Sequence, residues 1–141
     1  MPELNIRYTG PYDTVATDQQ TGREAHIGAS YGEVQTEHFS PTAMLAASLG
    51  SCTIATMAIA ARLKYELDLR GSTAAVRYES QDKPVHRLAR VEMTIDLPVT
   101  VTERQRQSLE RSAARCPVHQ SLHPDIEIEL HCRWADVRDG A

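Results

Sequence analysis

The sequence predicts an α+β protein whose strands and helices occupy separate stretches of the chain. Residues alternate between apolar and polar near the start, at Leu4, Ile6 and Tyr8, which is typical of a strand. A long uncharged stretch at residues 43–61 follows and has helical spacing. The clearest alternation lies near the end, at Ile126, Ile128, Leu130, Cys132 and Trp134. Elements grouped in this way favour the α+β class over a regular α/β repeat.

The first forty residues predict a small sheet of short antiparallel strands. Gly10-Pro11 is a turn signal after the first strand, and residues 12–17 are again β-prone. A second turn signal follows at Gln20-Thr-Gly22.

The uncharged stretch predicts a long central helix. Ser40 can cap it and Pro41 suits its first turn, so we expect the helix to run to about Leu69 and to stop before Gly71. Its larger apolar residues recur at three-, four- or seven-residue steps and predict a core-facing side: Leu45, Leu49, Cys52, Ile59 and Leu63.

The same helix is apolar on nearly all sides, which raises the question of a membrane span. A span needs about 20 predominantly apolar residues. Here Ser48, Ser51, Thr53 and Thr56 are polar, Gly50 interrupts, and the segment stands alone. We expect no membrane partner, and a helix buried in the middle of a fold or of an oligomer.

The second half of the chain predicts a hairpin, a helix and a final strand. Residues 74–78 and 91–97 alternate and should pair antiparallel across a turn at 81–84. Thr102 and Gln105 form a capping box for a helix that presents Leu109, Ala113 and Cys116 on one face. Pro117 should end it at Cys116, and the polar tail after Ala135 should fray.

Bulk properties indicate one domain, residues 1–141, in the cytoplasm. The net charge is −4 and the arginines are scattered among acidic residues, so nucleic acid is not an expected partner. Three cysteines are too few for a secreted disulfide scaffold, and an odd number cannot all pair within one chain. The first residues lack the basic and apolar regions of a signal peptide.

Cys52 and Cys116 are the residues best suited to chemistry, and a reversible dithiol couple would need two such thiols. A thiol reacts as its anion, so a nearby cation or helix end must favour the thiolate. Arg23, beside a turn glycine, could supply a permanent charge to Cys52, and Glu37 could hold that guanidinium. If Pro117 opens a short helix, Cys116 lies at its start and gains thiolate character.

Other interpretations of these residues stay open. Either cysteine could simply fill a core position, and we expect this of Cys132. Cys116, His119 and His123 match half of a zinc site but lack a fourth ligand, so no metal is expected; His119 could instead orient or acidify Cys116. No hydrolase triad, phosphate loop or dinucleotide fingerprint is present in the sequence.

Two motifs carry a family resemblance that covers most of the chain. The run from Ser40-Pro41 through Leu49-Gly-Ser-Cys52-Thr53, followed by Cys116-Pro117-Val118, resembles the OsmC/Ohr family of osmotically inducible and organic-hydroperoxide-resistance proteins. The wording of the first motif is similar to that of the OsmC-like branch. The resemblance implies antiparallel sheets with a long buried central helix and an intertwined homodimer with interfacial active sites.

The resemblance also implies a thiol-dependent peroxidase for organic hydroperoxides. Cys52 would become a sulfenic acid, Cys116 would condense with it to a disulfide, and a dithiol, possibly lipoyl-type, would reset the pair without any cofactor. Arg23 matches the family's activating arginine. Thr42 stands where the peroxidases have glutamate, so either Glu37 substitutes or the site is tuned differently. The alternative is a non-catalytic member that binds a small apolar or electrophilic ligand at the dimer interface.

Overall fold

The structure is a computed structural model that describes residues 1–139, so the predicted end of the tail at 140–141 lies outside the described residues. Two compact units are defined by their internal contacts: Met1–Leu45, and the rest of the described chain from Ala46. The elements in chain order are β1 (Leu4–Tyr8), β2 (Asp13–Asp18), β3 (Glu24–Gly28), α1 (Pro41–Tyr65), β4 (Thr73–Gln81), β5 (Arg87–Thr102), α2 (Glu103–Ala113), α3 (Pro117–Ser121) and β6 (Glu127–Arg138).

The first unit contains the predicted antiparallel sheet, in the order β1-β2-β3. At its end, a Cβ on Gly28 would lie 2.0 Å from both the Asp13 carboxylate and the Thr36 hydroxyl. The Thr36 hydroxyl donates to that carboxylate at 2.8 Å, so glycine leaves the space in which this bond forms.

The second unit contains a three-stranded sheet in the order β4-β5-β6. β4 and β5 pair antiparallel as predicted, but β5 and β6 run parallel, so the expectation of purely antiparallel sheets is wrong. The physical reason is the connection: α2 and α3 lie between β5 and β6 in the sequence and return the chain to the end of the sheet from which β5 started.

The central helix α1 begins where the sequence predicts and ends earlier. The Ser40 hydroxyl accepts from the Ala43 N–H at 3.1 Å, so the N-cap is confirmed. The helix stops at Tyr65 rather than at Leu69 because Glu66 adopts a left-handed conformation, with φ of 53°. The Leu67 N–H then donates to the Ala61 carbonyl at 3.1 Å and turns the chain away.

One face of α1 is buried, and it matches the predicted face only in part: Leu49 is fully buried and Cys52 packs against the core, but the other predicted residues are exposed. The buried residues are small or medium in size: Ala46, Leu49, Gly50, Thr53, Met57 and Ala61. Ile59 and Leu63, expected in the core, are 60% and 79% exposed. Small residues allow a close approach to the sheet, since a Cβ on Gly50 would lie only 2.8 Å from Cγ2 of Val76 on β4. The expectation of a helix buried on all sides is therefore not confirmed for the single chain.

By length and composition alone, α1 is also the one described helix that could cross a membrane. Its most apolar stretch of 18 residues has a mean hydropathy of 1.7, with 28% of that stretch buried. Core helices of soluble proteins meet the same criterion, and the buried side of α1 packs in two apolar clusters with residues of the β4-β5-β6 sheet.

The predicted capping box of α2 is confirmed. The Thr102 hydroxyl accepts from the Gln105 N–H at 3.2 Å, and the Gln105 side chain accepts from the Thr102 N–H at 2.9 Å. The expected fraying after Ala135 is wrong for the described residues, because β6 continues to Arg138 by pairing with the last residues of β5. Pro98 lies where the β5–β6 register shifts, which is where a strand tolerates proline.

Candidate active site

Cys52 is held on α1 at the edge of a small apolar cluster. The helix lies close to β4 at Gly50, two residues earlier, and this contact fixes the depth of α1 against the sheet. Cys52 is partly buried and packs against a cluster formed by Leu49, Val91, Met93 and Cys116. The Cys52 thiol is therefore accessible to solvent on one side and contacts apolar residues on the other.

Cys116 belongs to the same cluster and is fully buried. It follows α2 and occupies the N-cap position of α3, whose first residue is Pro117 as predicted. Its N–H donates to the Ala113 carbonyl at 3.2 Å, which continues the last turn of α2. The crossover between the parallel strands thus returns Cys116 to α1, and the two thiols remote in sequence become neighbours.

The two sulfurs interact, and the interaction favours a Cys52 thiolate. A hydrogen bond from the Cys116 thiol is the largest influence that lowers the pKa of Cys52, followed by the backbone N–H of Val118. The Thr56 hydroxyl, one helical turn along α1 and 4.0 Å from the Cys52 sulfur, adds a smaller contribution in the same direction. All three groups are uncharged donors.

The environment of Cys116 acts in the opposite direction. Burial raises the pKa of Cys116, and the hydrogen bond to Cys52 raises it further, while the amides of His119 and Val118 lower it less. The amides at the start of α3 do lower the pKa of Cys116 as predicted, but burial and Cys52 outweigh them, so the expected gain in thiolate character is not realised in the reduced pair. The amide of Val118 also lowers the pKa of Cys52, and the pair favours one anion beside one thiol.

Cys132 lies apart from this pair, on β6, as a core-filling thiol. It packs against the second apolar cluster, which includes Met57 and Leu109. Burial, with a smaller contribution from the Glu110 charge, raises the pKa of Cys132 to about 12. At neutral pH it is protonated and a poor nucleophile.

Arg23 and Glu37 both lie in the first unit and are exposed. The Arg23 carbonyl accepts from the Asp18 N–H at 2.9 Å in the turn between β2 and β3, and its own N–H donates to Thr21 at 3.3 Å. Among residues 1–139, no ion pair joins Arg23 to Glu37, so the predicted carboxylate support is not found within this chain. Their roles at the thiols stay predictions.

His119 contacts the pair through its backbone rather than its ring. Its amide lowers the pKa of Cys116, while its side chain lines a separate cavity that Cys132 also lines. The half-zinc motif is not assembled: within the described residues no three His, Cys, Asp or Glu side chains form a metal-binding group. The His123 ring instead accepts from the Asp125 N–H at 3.1 Å.

Two contributors to the thiol pair were not predicted from the sequence. Thr56 could have been found, because residues four apart share a helix face and Cys52 is four positions earlier. The Val118 contribution could not, because it comes from a main-chain amide whose direction is set only by the fold of α3.

The fold and the site together define an α+β protein with a pair of unlike thiols, one partly exposed and one buried. The chain belongs to the OsmC-like protein family, whose sequence profile matches residues 34–131. The matched part includes Cys52, Cys116, Glu37 and His119 and leaves out Arg23. The family identified from the two cysteine motifs is therefore confirmed. No curated protein matches the chain.

Solved structures agree with this assignment. A protein from Psychrobacter arcticus, inferred to be an osmotic-stress-induced and detoxification-response protein, is 30% identical, with 94% of this chain and 96% of that one covered and a TM-score of 0.87. An OsmC-like protein from Mycoplasma pneumoniae is 16% identical, with 95% and 96% covered and a TM-score of 0.76. The organic hydroperoxide resistance protein OhrB of Bacillus subtilis is 14% identical, with 94% and 98% covered and a TM-score of 0.67. The last two show the shared fold.

Proposed function

We propose that this protein is a thiol-dependent peroxidase that reduces organic hydroperoxides and serves in oxidative-stress defence. The observation that carries the proposal is that Cys52 packs against the buried cluster that contains Cys116, an arrangement that lowers the pKa of Cys52 and raises the pKa of Cys116. A two-cysteine peroxidase needs this division, because its first sulfur must attack peroxide while its second waits.

The chemistry runs in three balanced steps. The Cys52 thiolate attacks the terminal oxygen of the hydroperoxide, which becomes the oxygen of the sulfenic acid. The O–O bond breaks, and the departing alkoxide takes a proton to leave as an alcohol. The Cys116 sulfur then attacks the Cys52 sulfenic acid, so that an S–S bond forms and water leaves with the thiol proton. A dithiol, possibly lipoyl-type, reduces the disulfide by exchange and becomes a disulfide itself.

Oxidation of Cys52 also prepares Cys116 for the second step. In the reduced pair, the hydrogen bond to Cys52 and the Cys52 charge both hold the pKa of Cys116 up. A sulfenic acid is neutral, so the charge repulsion disappears when Cys52 is oxidised, and Cys116 ionises more readily.

Apolar neighbours of Cys52 support an organic rather than an inorganic peroxide. Val76, Val118 and Leu122 pack in the cluster that contains both thiols and would accept an alkyl or aryl group better than water. Hydrogen peroxide gains nothing from such contacts, so we expect it to be the poorer substrate.

The test is consumption of cumene hydroperoxide with dihydrolipoamide as the reductant. Cys52→Ser should reduce turnover to the rate without protein, and Cys116→Ser should stop after one oxidation and accumulate a sulfenic acid that dimedone traps. Cys132→Ser is the matched control and should keep turnover. Wild-type turnover that survives Cys52→Ser would reject the proposal.

Arg23 is proposed to be the activating guanidinium on the strength of the family resemblance alone. Arg23→Ala should then slow the oxidation of Cys52 by peroxide, and Arg23→Lys should restore part of the rate, whereas a surface arginine would leave both variants like wild type. Stopped-flow oxidation of the reduced protein measures this step without the reductant.

A homodimer working in the cytoplasm completes the proposal. The exposed apolar residues of α1, including Ile59 and Leu63, offer the surface that a second copy would cover. Three free thiols suit a reducing compartment. Light scattering should give twice the chain mass of 15.7 kDa, and Ile59→Lys should shift the protein toward the monomer.

The second candidate is a non-catalytic protein that binds a small apolar or electrophilic ligand at the dimer interface. The observation that favours it is Thr42 in place of the glutamate of the peroxidases. Stoichiometric oxidation without turnover in the peroxide assay, together with a ligand retained through purification, would support it.

A further inference from the structure

A cavity lies within the second unit of the chain, separate from the thiol pair. It has a volume of about 270 Å³ and is bounded by the three helices α1, α2 and α3 and by the strands β5 and β6. Met93 and Leu130 are among its apolar residues, and Thr53, Glu110 and His119 are its polar ones. Cys52 and Cys116 do not line it.

The volume is large enough for a small organic molecule. An apolar protein cavity of about 150 Å³ is sufficient to bind benzene. The present cavity of about 270 Å³ exceeds that by the space of a few further atoms. Apolar walls with one or two polar groups are the usual composition of a small-molecule site.

The electrostatics of the cavity favour an uncharged occupant. Both oxygens of Glu110 are engaged: Oε1 accepts from the Trp134 indole N–H at 2.9 Å, and Oε2 accepts from Arg106 at 2.7 Å. Because Arg106 and Trp134 already occupy this carboxylate, it offers a cation no free partner, and the cavity offers an anion no free positive charge. Cys132, with its high pKa, adds no charge at neutral pH. Either ion would also lose its hydration without compensation.

The Thr53 hydroxyl already donates to the Leu49 carbonyl at 2.7 Å, so the His119 ring is the polar group in the wall that is most available to a ligand. The His119 ring is partly buried, and within residues 1–139 it has no hydrogen-bond partner. A neutral imidazole can donate from one nitrogen and accept at the other, so a hydroxyl group satisfies it in either sense. Carboxylate and ammonium groups would each satisfy only one.

We propose that this cavity binds a neutral, compact, largely apolar molecule with one hydroxyl group, of about the size of benzyl alcohol. The hydroxyl contacts His119, and the hydrocarbon part lies against Met93, Leu130 and Cys132. All the residues named for this site belong to the second unit of the chain. It does not depend on peroxidase activity.

The cavity adjoins the segment that holds Cys116. Ala113, whose carbonyl accepts from the Cys116 N–H, lines it, as does His119, whose amide influences the Cys116 thiol. A bound molecule would therefore affect Cys116 indirectly, through the main-chain groups of Ala113 and His119.

The experiment is a titration of the reduced full-length protein with benzyl alcohol, followed by NMR of labelled Met, Ile and Leu methyl groups. Saturable shifts are expected at Met93, Ile128 and Leu130, with a Kd of roughly 1 mM. Benzylamine and benzoate serve as charged probes of the same shape. Each should bind at least about tenfold more weakly, because the cavity disfavours ions.

Ala114 offers a way to close the cavity, because it lines the wall but is exposed at the end of α2. Ala114→Phe should abolish the shifts, and Ala135→Phe, on an exposed strand alanine outside this wall, should leave them unchanged. Cys132→Met fills the cavity from the sheet side and replaces Ala114→Phe if that variant does not fold.

Three results would overturn the assignment. They are no saturable shift at these methyl groups, equal binding by wild type and the filled variants, and binding of benzoate or benzylamine as tight as that of benzyl alcohol.

Discussion

Replacing Gly50 by alanine should destabilise the second unit, because α1 and β4 leave no room there for a side chain. The added Cβ would lie 2.8 Å from Val76 Cγ2, whereas carbon atoms pack best at about 3.5–4.0 Å. Over-packing of this kind costs about 1–3 kcal/mol. Alanine favours the helix over glycine by about 1 kcal/mol, so the net loss is expected to be about 1 kcal/mol.

The assay is urea unfolding followed by circular dichroism, at fixed protein concentration and with all thiols reduced. The double variant Gly50→Ala with Val76→Ala removes the methyl that clashes. We expect it to be more stable than the sum of the single effects by about 1 kcal/mol, since residues in contact couple. Ser51→Ala, at the exposed neighbouring position, is the control and should combine additively with Val76→Ala.

Additivity of Gly50→Ala and Val76→Ala within about 0.5 kcal/mol would refute the reasoning. The close contact would then not be what requires glycine. A second readout links the packing to the site: if α1 is displaced from β4, Cys52 moves with it and its thiolate loses donors. Gly50→Ala should therefore raise the pH at which Cys52 becomes reactive, and the double variant should restore it.

Three further predictions follow from local geometry. Iodoacetamide, with peptide mass spectrometry, should modify Cys52 with an inflection below the ordinary thiol value of 9.0 and leave Cys132 unmodified at pH 8, since only Cys52 is favoured as a thiolate; equal rates in the folded protein would contradict this. Thr102→Ala should lower the free energy of unfolding by about 1 kcal/mol through loss of the α2 cap, whereas Thr102→Ser should retain it. Glu66→Gly should raise the free energy of unfolding by up to about 1 kcal/mol in a thermal melt, because φ is 53° there. A decrease in the free energy of unfolding would contradict this and show that the Glu66 side chain itself stabilises the fold.

Local signals in the sequence were sufficient for much of the fold. Ser40, Pro41 and the Thr102–Gln105 pair act through neighbours within one helical turn, so their caps could be predicted. The end of α1 could not, because Glu66 is not a residue type that favours a left-handed conformation. The direction of β6 was missed for a different reason: alternation identifies a strand but carries no information about its partner's direction.

The candidate site divides in the same way. The importance of Cys52 and Cys116 could be predicted from their motifs, but which sulfur ionises first could not. That depends on the complete burial of Cys116 and on the aim of the Val118 amide, both of which are set by tertiary packing. The buried face of α1 was predicted correctly at Leu49 and wrongly at Ile59 and Leu63. Apolar residues lie on all sides of this helix, so shape rather than hydrophobicity decides which side meets the sheet.

Because of the parallel pairing of β5 and β6, the redox state of the two thiols can change the stability of the whole fold. Cys52 and Cys116 are 64 positions apart, and only the crossover unites them. Under the proposed chemistry, their disulfide would close a loop of roughly 65 residues. The loss of conformational entropy in the unfolded chain would stabilise the folded protein by about 4 kcal/mol. A molecule that has just consumed peroxide would carry a covalent link between α1 and the start of α3, and would resist heat and proteases until a reductant released it.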